Sequence, residues 1–168
     1  MKKTLTLLTL SFSLFTNLSA YEIIIDKTLK VKQEKAKSSY TYPALQRDDT
    51  KEIVYDPSSK LIWQDNSAAK STKRDWEGAK SYCRDLSFAS FSDWRLPTIK
   101  ELESISDYSR YPNAYKKGFK NFTSSSYWSS SPDVSNSSDA WLVYFKSGYS
   151  DYDGKSSKGY VRCARAGQ

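Results

Sequence analysis

The feature that most constrains the fold is a single pair of cysteines, Cys83 and Cys163, in a chain of 168 residues. In an exported protein, two cysteines of this kind form a disulfide by default, and the N-terminal sequence described below indicates export. The bond would close a loop of about 80 residues, for which the chain-entropy model gives roughly 4.5 kcal/mol of stabilisation. The alternative is a thiol pair for redox or metal chemistry, although the two cysteines lack the C-x-x-C spacing typical of such pairs.

The first 20 residues are predicted to be a secretory signal peptide. Lys2 and Lys3 give the charged start, an uncharged, leucine-rich run follows over residues 4–15, and Ser19-Ala20 supplies small residues for cleavage after Ala20. No cysteine follows that run, so a lipid anchor is not expected, and no later stretch has the roughly 18 apolar residues of a membrane span. The sequence therefore predicts an exported protein, in the periplasm, at the cell surface or released.

The charge of the chain points to the class of partner. Cleavage after Ala20 would leave 148 residues, with 24 basic residues against 19 acidic ones and a net charge of +5. This excess favours acidic glycans, nucleic acid or lipid headgroups as partners, and export argues against nucleic acid. The chain contains no histidine, which removes the commonest general base and the commonest metal ligand. We expect no cofactor.

The chain is predicted to divide into the signal peptide (1–20), an N-terminal extension (21–48) and a folded domain (49–168). The domain is long enough to have a core of its own. In the extension, Ile23–Ile25 is predicted to form an edge strand, and the lysine-rich residues 27–39 are predicted to form a solvated tether.

The first half of the domain contains a predicted hairpin and a predicted helix. Glu52–Tyr55 and Leu61–Gln64 are strand-like, and Asp56–Lys60 between them is rich in turn residues. A polar loop is predicted over residues 66–74. A helix is predicted to begin after Asp75, which has the residue type of an N-cap. Its apolar face is formed by Trp76, Ala79, Cys83 and Leu86.

The stretch Ser92–Leu102 carries the densest local signals. Pro97 is suited to a helix start, and Thr98 followed by Glu101 has the spacing of a capping box. We therefore predict a short helix from about Thr98 to Asp107. The stretch is interpreted as a structural corner, because no nucleophile or histidine accompanies it.

The second half of the domain is predicted to be mainly β. Strands are predicted at Ser126–Ser129, Ala140–Lys146 and Gly159–Arg165, with a long surface loop over residues 108–122 and a turn over Gly148–Gly154. A hairpin, two helices and a late cluster of antiparallel strands predict an α+β fold.

Several motifs in a fixed order resemble one family. They are Leu61-Ile62-Trp63-Gln64, Trp76-Glu77-Gly78-Ala79, Asp93-Trp94-Arg95-Leu96-Pro97-Thr98, Tyr127-Trp128-Ser129-Ser130 and Val161-Arg162-Cys163-Ala164-Arg165. Over roughly residues 53–165 this pattern is similar to the Legionella collagen-like protein C-terminal domain family. Two departures from the family pattern affect loops: Lys60 stands where a glycine would suit the hairpin turn, and Phe91-Ser92 replace a glycine-rich turn.

The resemblance implies a C-type-lectin-like fold, of the type that includes the formylglycine-generating enzyme. Such a fold has two short helices, a small and mainly antiparallel sheet, and a disulfide from a helix to the last strand, here Cys83 to Cys163. The resemblance also implies surface recognition. In the protein after which the family is named, the domain is an adhesin module that binds sulfated glycosaminoglycans. No enzyme activity is expected, since the formylglycine-generating branch needs an active-site cysteine pair of its own.

A metal site is not predicted. The Glu-Pro-Asn, Gln-Pro-Asp and Trp-Asn-Asp triplets of calcium-dependent lectins do not occur in the chain. Four aspartates late in the sequence are either solvated turn residues or oxygen ligands for a cation, and this alternative stays open. They are Asp133, Asp139, Asp151 and Asp153.

Two groups of basic residues are candidates for binding an acidic or sulfated glycan through charge-assisted hydrogen bonds. The first group is Lys116, Lys117 and Lys120. The second group is Lys155, Lys158, Arg162 and Arg165. The two arginines flank Cys163, so they are alternatively structural, and each group is alternatively a solvated basic surface.

Aromatic residues are the other contact candidates, because rings with a polar group stack on sugars and recur at interfaces. Tyr149 and Tyr152 on the predicted late turn, and Tyr111 and Tyr115 on the long loop, are favoured. The core is assigned Trp63, Trp76, Trp94 and Trp141. We predict a non-catalytic recognition domain that binds an anionic glycan. The alternative is a structural or assembly protein of the envelope that binds another protein, and the oligomeric state is left open.

Overall fold

The computed structural model describes residues 43–167. The signal peptide, the tether and the strand predicted at Ile23–Ile25 lie outside these residues. From residue 43 to residue 167 the chain forms nine β-strands, two α-helices and one 3-10 helix at Ser67–Lys70. In order they are β1 (Gln46–Asp48), β2 (Ile53–Asp56), β3 (Leu61–Gln64), β4 (Lys73–Arg74), α1 (Trp76–Arg84), α2 (Ile99–Ser104), β5 (Ser126–Pro132), β6 (Asp139–Tyr144), β7 (Tyr149–Gly154), β8 (Gly159–Tyr160) and β9 (Ala164–Ala166).

The strands form two sheets. One has the order β1-β2-β3-β9, and the other has the order β4-β8-β5-β6-β7. All pairs are antiparallel except β5 with β8. Two helices with mainly antiparallel sheets confirm the predicted α+β class. Because β1 pairs with β2, ordered structure begins before residue 49, inside the segment that the sequence assigns to the extension.

The predicted hairpin is formed by β2 and β3, with Val54 opposite Trp63. An Asp56 carboxylate oxygen accepts a hydrogen bond from the Ser58 amide at 2.9 Å and so holds the turn. Lys60 has a φ of +55°, which is the left-handed conformation that glycine adopts most easily. The turn therefore does require the backbone shape that a glycine would supply, and a lysine adopts it here.

Helix α1 begins where the sequence predicts. The Asp75 side chain accepts a hydrogen bond from the Gly78 amide at 2.9 Å, and Trp76, Ala79 and Cys83 are buried. A Cβ at Gly78 would lie 2.8 Å from the Asp75 carboxylate, so the cap needs a glycine at this position. Cys83 is bonded to Cys163 with their Cα atoms 5.4 Å apart, which confirms the predicted disulfide.

Helix α2 has the predicted capping box. Thr98 accepts a hydrogen bond from the Glu101 amide at 3.3 Å, and Glu101 accepts one from the Thr98 amide at 2.8 Å. The helix ends at Ser104, three residues before the predicted end, because Ile105 is already the C-cap. Leu102 and Ile105 are buried.

Strands β5 and β6 separate two hydrophobic clusters. Trp128 and Leu142 pack with α1 and the disulfide on one face, whereas Tyr127 and Val143 pack with Leu102 of α2 on the other. Three of the four predicted core tryptophans are buried, namely Trp63, Trp76 and Trp94. Trp141 on β6 is only half-buried, and its ring contacts that of Tyr152 on the edge strand β7.

The prediction of a turn over Gly148–Gly154 is wrong, because Tyr149–Gly154 is strand β7. The turn lies at residues 145–148, where Gly148 has a φ of +86°. Strand β7 is an edge strand, and Asp151 and Asp153 accept hydrogen bonds from the next amides, at 2.9 and 2.7 Å. Aspartates that suggest a turn in sequence here occupy backbone donors at a sheet edge.

The predicted final strand, Gly159–Arg165, is divided between the two sheets. Strand β8 pairs with β4 and β5, and β9 pairs with β3. Residues 161–163 cross from one sheet to the other, and Cys163 hydrogen-bonds Gln64 through both backbone groups. The disulfide therefore joins α1 to this crossing segment, immediately before the last strand.

Other predicted loops differ from the structure in detail. Residues 66–74 contain the 3-10 helix and β4, and β5 continues past Ser129 to Pro132 with an irregular register. Residues 108–122 contain no helix or strand, yet Ala114 and Phe119 are buried. This segment is therefore part of the core and not only a surface loop.

Candidate functional site

The first predicted group of lysines is largely paired with carboxylates. We call Lys116, Lys117 and Lys120 the lysine segment. The Lys120 ammonium lies 2.7 Å from an Asp49 carboxylate oxygen, and that of Lys116 lies 3.8 Å from buried Asp56. Hydrogen bonds from Lys120 and then from Arg47 lower the pKa of Asp49. Lys117 is exposed. The local charge is thus partly cancelled.

The backbone next to the lysine segment is fixed by a buried ion network. Asp65 accepts hydrogen bonds from the amides of Lys120 and Asn121, at 2.9 and 3.1 Å. The fully buried guanidinium of Arg162 donates to Asp65 at 3.0 Å and to the Gln64 carbonyl at 2.5 Å. Burial lowers the pKa of Arg162 to about 10, so it is still charged at neutral pH. Arg162 is therefore structural.

Arg165 is structural for a similar reason. Its guanidinium donates to both Asp93 carboxylate oxygens, at 2.6 and 3.1 Å, and lies 3.8 Å from the centre of the Phe91 ring. The hydrogen bond from Arg165 lowers the pKa of Asp93. The two arginines of the second group thus belong to the scaffold, as the alternative interpretation proposed.

The two remaining residues of the second group lie at the start of α1. Lys158 pairs with Asp75 at 2.6 Å, and Lys155 lies 4.6 Å from the centre of the Trp76 ring. Lys155 also donates to the Ser137 carbonyl at 2.5 Å. The Trp76 ring holds a second ammonium, that of Lys80, at 3.9 Å.

Three further cations near the start of α1 were not predicted from the sequence as site residues. Strand β4 pairs with β8 and places Lys73 over the Tyr160 ring, at 4.5 Å, and Arg74 near the Tyr82 ring, at 5.9 Å. Lys80 is the third. A basic dipeptide directly before a helix cap was the available signal, but residues 66–74 were interpreted only as a loop. We call the whole set the basic face: Lys73, Arg74, Lys80, Lys155 and Lys158.

The basic face keeps more free positive charge than the lysine segment. Its carboxylates are Asp75, paired with Lys158, and Glu77, paired with Lys80 at 2.9 Å. Among the residues that the structure describes, Lys73, Arg74 and Lys155 form no ion pair. Their positive groups lie against aromatic rings, which hold a cation in place without neutralising it.

The predicted tyrosines do not join this surface. Tyr149 and Tyr152 lie three residues apart on β7, so their side chains point to opposite faces of the sheet. The Tyr149 ring, 68% exposed, lies 5.8 Å from that of Tyr108, and the Tyr152 ring lies 5.8 Å from that of Trp141. Tyr115 stacks on Phe122 at 4.1 Å and is half-buried, so this candidate belongs with the core.

The four late aspartates are used by the backbone and by neighbouring side chains. Asp133 accepts hydrogen bonds from the amide and hydroxyl of Ser135, and these lower the pKa of Asp133. Asp139 accepts one from the Asn136 side chain at 2.9 Å. Within residues 43–167 no group of three or more acidic or cysteine side chains is arranged to hold a metal ion.

A groove of about 430 Å³ lies between α1 and residues 94–98. Lys80 and Arg84 of α1 line one side, and Arg95 and Thr98 line the other. Both terminal nitrogens of Arg95 donate to Glu101, at 2.7 and 2.6 Å. That bond lowers the pKa of Glu101. The stretch interpreted from sequence as a structural corner therefore forms a wall of a groove.

No helix between residues 43 and 167 is long and apolar enough to cross a membrane. The disulfide is consistent with an extracytoplasmic location, where thiols are oxidised.

Similarity to known proteins places the chain in one family. No curated protein sequence matches it significantly. Residues 52–165 match the profile of the Lcl C-terminal domain, a range that begins just before β2, ends in β9 and includes both helices and the disulfide. The chain belongs to the Lcl C-terminal domain family.

Proposed function

We propose that this protein is a non-catalytic recognition domain that binds an acidic glycan, sulfated or carboxylated, on the basic face. One observation carries the proposal: five cations are gathered around the start of α1, and within residues 43–167 only two carboxylates pair with them. The lysine segment, which the sequence favours equally, is a weaker candidate because Asp49 and Asp56 pair with its lysines.

The aromatic contacts support a binding role for these cations. Trp76 is buried and stands between Lys80 and Lys155, with ring-to-ammonium distances of 3.9 and 4.6 Å. A flexible lysine held over a ring loses less conformational freedom when it binds an anion. Each of these two ammonium groups donates one hydrogen bond to the protein, to Glu77 or to the Ser137 carbonyl, and an ammonium has three donors, so a sulfate or carboxylate can accept from the others.

The residue content of the chain supports a role without catalysis. The chain has no histidine, and both cysteines form the disulfide, so a histidine base and a cysteine nucleophile are missing. The disulfide also supports export to the periplasm, the cell surface or the medium. We therefore infer an adhesin-like function, in which the bound glycan is retained and not modified.

Heparin chromatography tests the proposal. We expect the exported chain to bind at low salt. It should elute at a higher salt concentration than a control protein of similar size and equal net charge. The variant Lys155→Ala/Lys158→Ala should elute earlier, whereas Lys51→Ala/Lys100→Ala removes two charges elsewhere and should change elution less. Passage of the wild-type protein through the column at about 50 mM salt would rule out ionic glycan binding, because screening is weak there.

A second candidate function is docking to another protein of the envelope. It is favoured by exposed tyrosines near the β6–β7 turn, namely Tyr108, Tyr111, Tyr144 and Tyr149. Light scattering on the exported chain tests for self-assembly. If the wild-type protein forms a discrete oligomer that dissociates in the variant Tyr108→Ser/Tyr149→Ser, docking is supported. If the wild-type protein is already a monomer, self-assembly through this surface is ruled out.

A further inference from the structure

We propose that the groove between α1 and residues 94–98 binds one acidic sugar unit, with the anionic group of the sugar held between Lys80 and Arg84. This inference rests on the proposed function and assigns it a specificity site. The groove volume of about 430 Å³ lies within the range of small-ligand sites and accommodates a single sugar unit.

The wall formed by α1 supplies the charge. Lys80 and Arg84 are four residues apart, so they project from the same face of the helix, and both line the groove. Their carboxylate partners are outside it: Glu77 pairs with Lys80 at 2.9 Å, and Asp85 pairs with Arg84 at 2.9 Å. These pairs are exposed, with Arg84 at 70% and Asp85 at 65%, so they contribute little and an incoming anion competes with them.

The opposite wall supplies fixed polar groups. The fork between Arg95 and Glu101 holds the Arg95 side chain in one orientation. Thr98 and Ser130 add hydroxyl groups that donate and accept hydrogen bonds, as sugar hydroxyls require. Leu96 and Trp94 also line the groove and give it apolar surface that the C–H face of a sugar ring can contact.

The groove is continuous with the basic face. Lys80 lines the groove, and its ammonium lies over the Trp76 ring that also contacts Lys155. A polyanionic chain that lies across the basic face therefore reaches the groove without leaving positive charge. The basic face supplies strength that depends on salt, and the groove selects the sugar that carries the anion.

Nuclear magnetic resonance on the labelled exported chain tests the inference with three small probes. These are methyl β-D-glucuronide, N-acetylglucosamine 6-sulfate and the neutral methyl β-D-glucoside. We expect at least one acidic sugar to cause saturable shifts in the amides of residues 80–84 and in the Trp94 indole N–H, which donates to the Phe88 carbonyl. The glucoside should bind at least tenfold more weakly.

Two matched variants locate the anion. Arg84→Met should weaken binding of the acidic sugar at least fivefold, since its guanidinium is exposed and its removal leaves the core intact. Lys100→Met is the control. It removes one exposed positive charge from α2, where Lys100 pairs with Glu103, and it should leave binding of the sugar unchanged. A response to the glucuronide alone assigns a carboxylate, a response to the sulfated sugar alone assigns a sulfate, and both responses assign either anion.

Other results overturn the inference. Equal binding of the glucoside, or an unchanged affinity in Arg84→Met, excludes an anion between Lys80 and Arg84. If heparin is retained and no probe shifts the groove signals, the groove assignment fails while the basic face stands. If the acidic sugars shift the groove but heparin is not retained, the proposed polyanion fails and the groove binds a single sugar.

Discussion

The lysine segment and the part of the basic face at Lys155 and Lys158 look alike in sequence, since each has lysines next to a glycine and an aromatic residue, but their surroundings differ. Next to the lysine segment, the amides of Lys120 and Asn121 are fixed by buried Asp65, and nearby aspartates pair with two of its lysines. In the basic face, ring contacts hold most of the cations and leave three of them without an ion pair among the described residues.

This difference shows that the number of lysines does not identify a binding surface. The positive charge around a cation depends on which carboxylates the fold brings to it, and these come from distant parts of the chain. Asp49 meets Lys120 from 71 residues away, and Asp75 meets Lys158 from 83 residues away. The first contact helps to cancel the positive charge of the lysine segment. The second leaves the basic face with more cations than carboxylates.

The largest expected effect comes from the disulfide, which is tied to both regions. Cys83→Ala/Cys163→Ala should lower the free energy of unfolding by roughly 4 kcal/mol in a urea titration. Hydrogen exchange should then show a larger loss of protection in α1, beside the basic face, than at residues 119–122, which Arg162 and Asp65 still hold. Equal loss in the two regions would mean that the bond does not position α1 specifically.

The second effect concerns the buried ion network next to the lysine segment. Arg162→Met should cost about 3 kcal/mol of unfolding free energy, because it removes a buried partner of Asp65 and the contacts with Phe122. Arg84→Met, which breaks an exposed pair, is the control and should cost less than about 0.5 kcal/mol. A small cost for both variants would contradict the structural role assigned to Arg162.

The smallest effect concerns the carboxylate inside the basic face. Asp75→Asn keeps an N-cap side chain but removes the partner of Lys158, so heparin elution should move to higher salt. The hydrogen bond from Lys158 lowers the pKa of Asp75, so the stability from this charge is present at neutral pH. It is lost as the pH falls below the ordinary aspartate value of about 3.9.

Urea titrations between pH 7 and pH 3 measure this dependence. The wild-type protein should lose more stability over this range than Asp75→Asn, because the variant has no carboxylate at this position to protonate. The same slope for both proteins, with no gain in heparin retention for the variant, would show that the Lys158 pair does not restrain the basic face.

Local signals predicted the helices and the hairpin well, because caps and periodic apolar residues act over a few positions. Asp75, Thr98 and Glu101 cap the helices as their spacing predicts. The disulfide followed from cysteine usage alone. Strand β7 was missed because Asp151 and Asp153 suggest a turn, and their role at a sheet edge exists only once β6 is beside them.

The candidate site was less predictable, because its parts are separated in the chain. Lys155 and Lys158 were recognised, but Lys73 and Lys80 join them only through the pairing of β4 with β8 and the packing of Trp76. The groove was missed for the same reason, since α1 and residues 94–98 meet across the core. For Arg162, the position beside Cys163 offered a structural role only as the alternative to anion binding, and its buried hydrogen bonds favour that alternative.

Two triple variants on a heparin column test most directly whether the basic face, and not the lysine segment, binds the polyanion. Lys73→Ala/Lys155→Ala/Lys158→Ala alters the basic face, and the matched variant changes all three lysines of the lysine segment to alanine. Both remove three positive charges, so their net charges are equal. We predict that the basic-face variant elutes at less than half the salt concentration of the wild-type protein and well before the matched variant. Equal elution of the two variants, or earlier elution of the lysine-segment variant, would contradict the account.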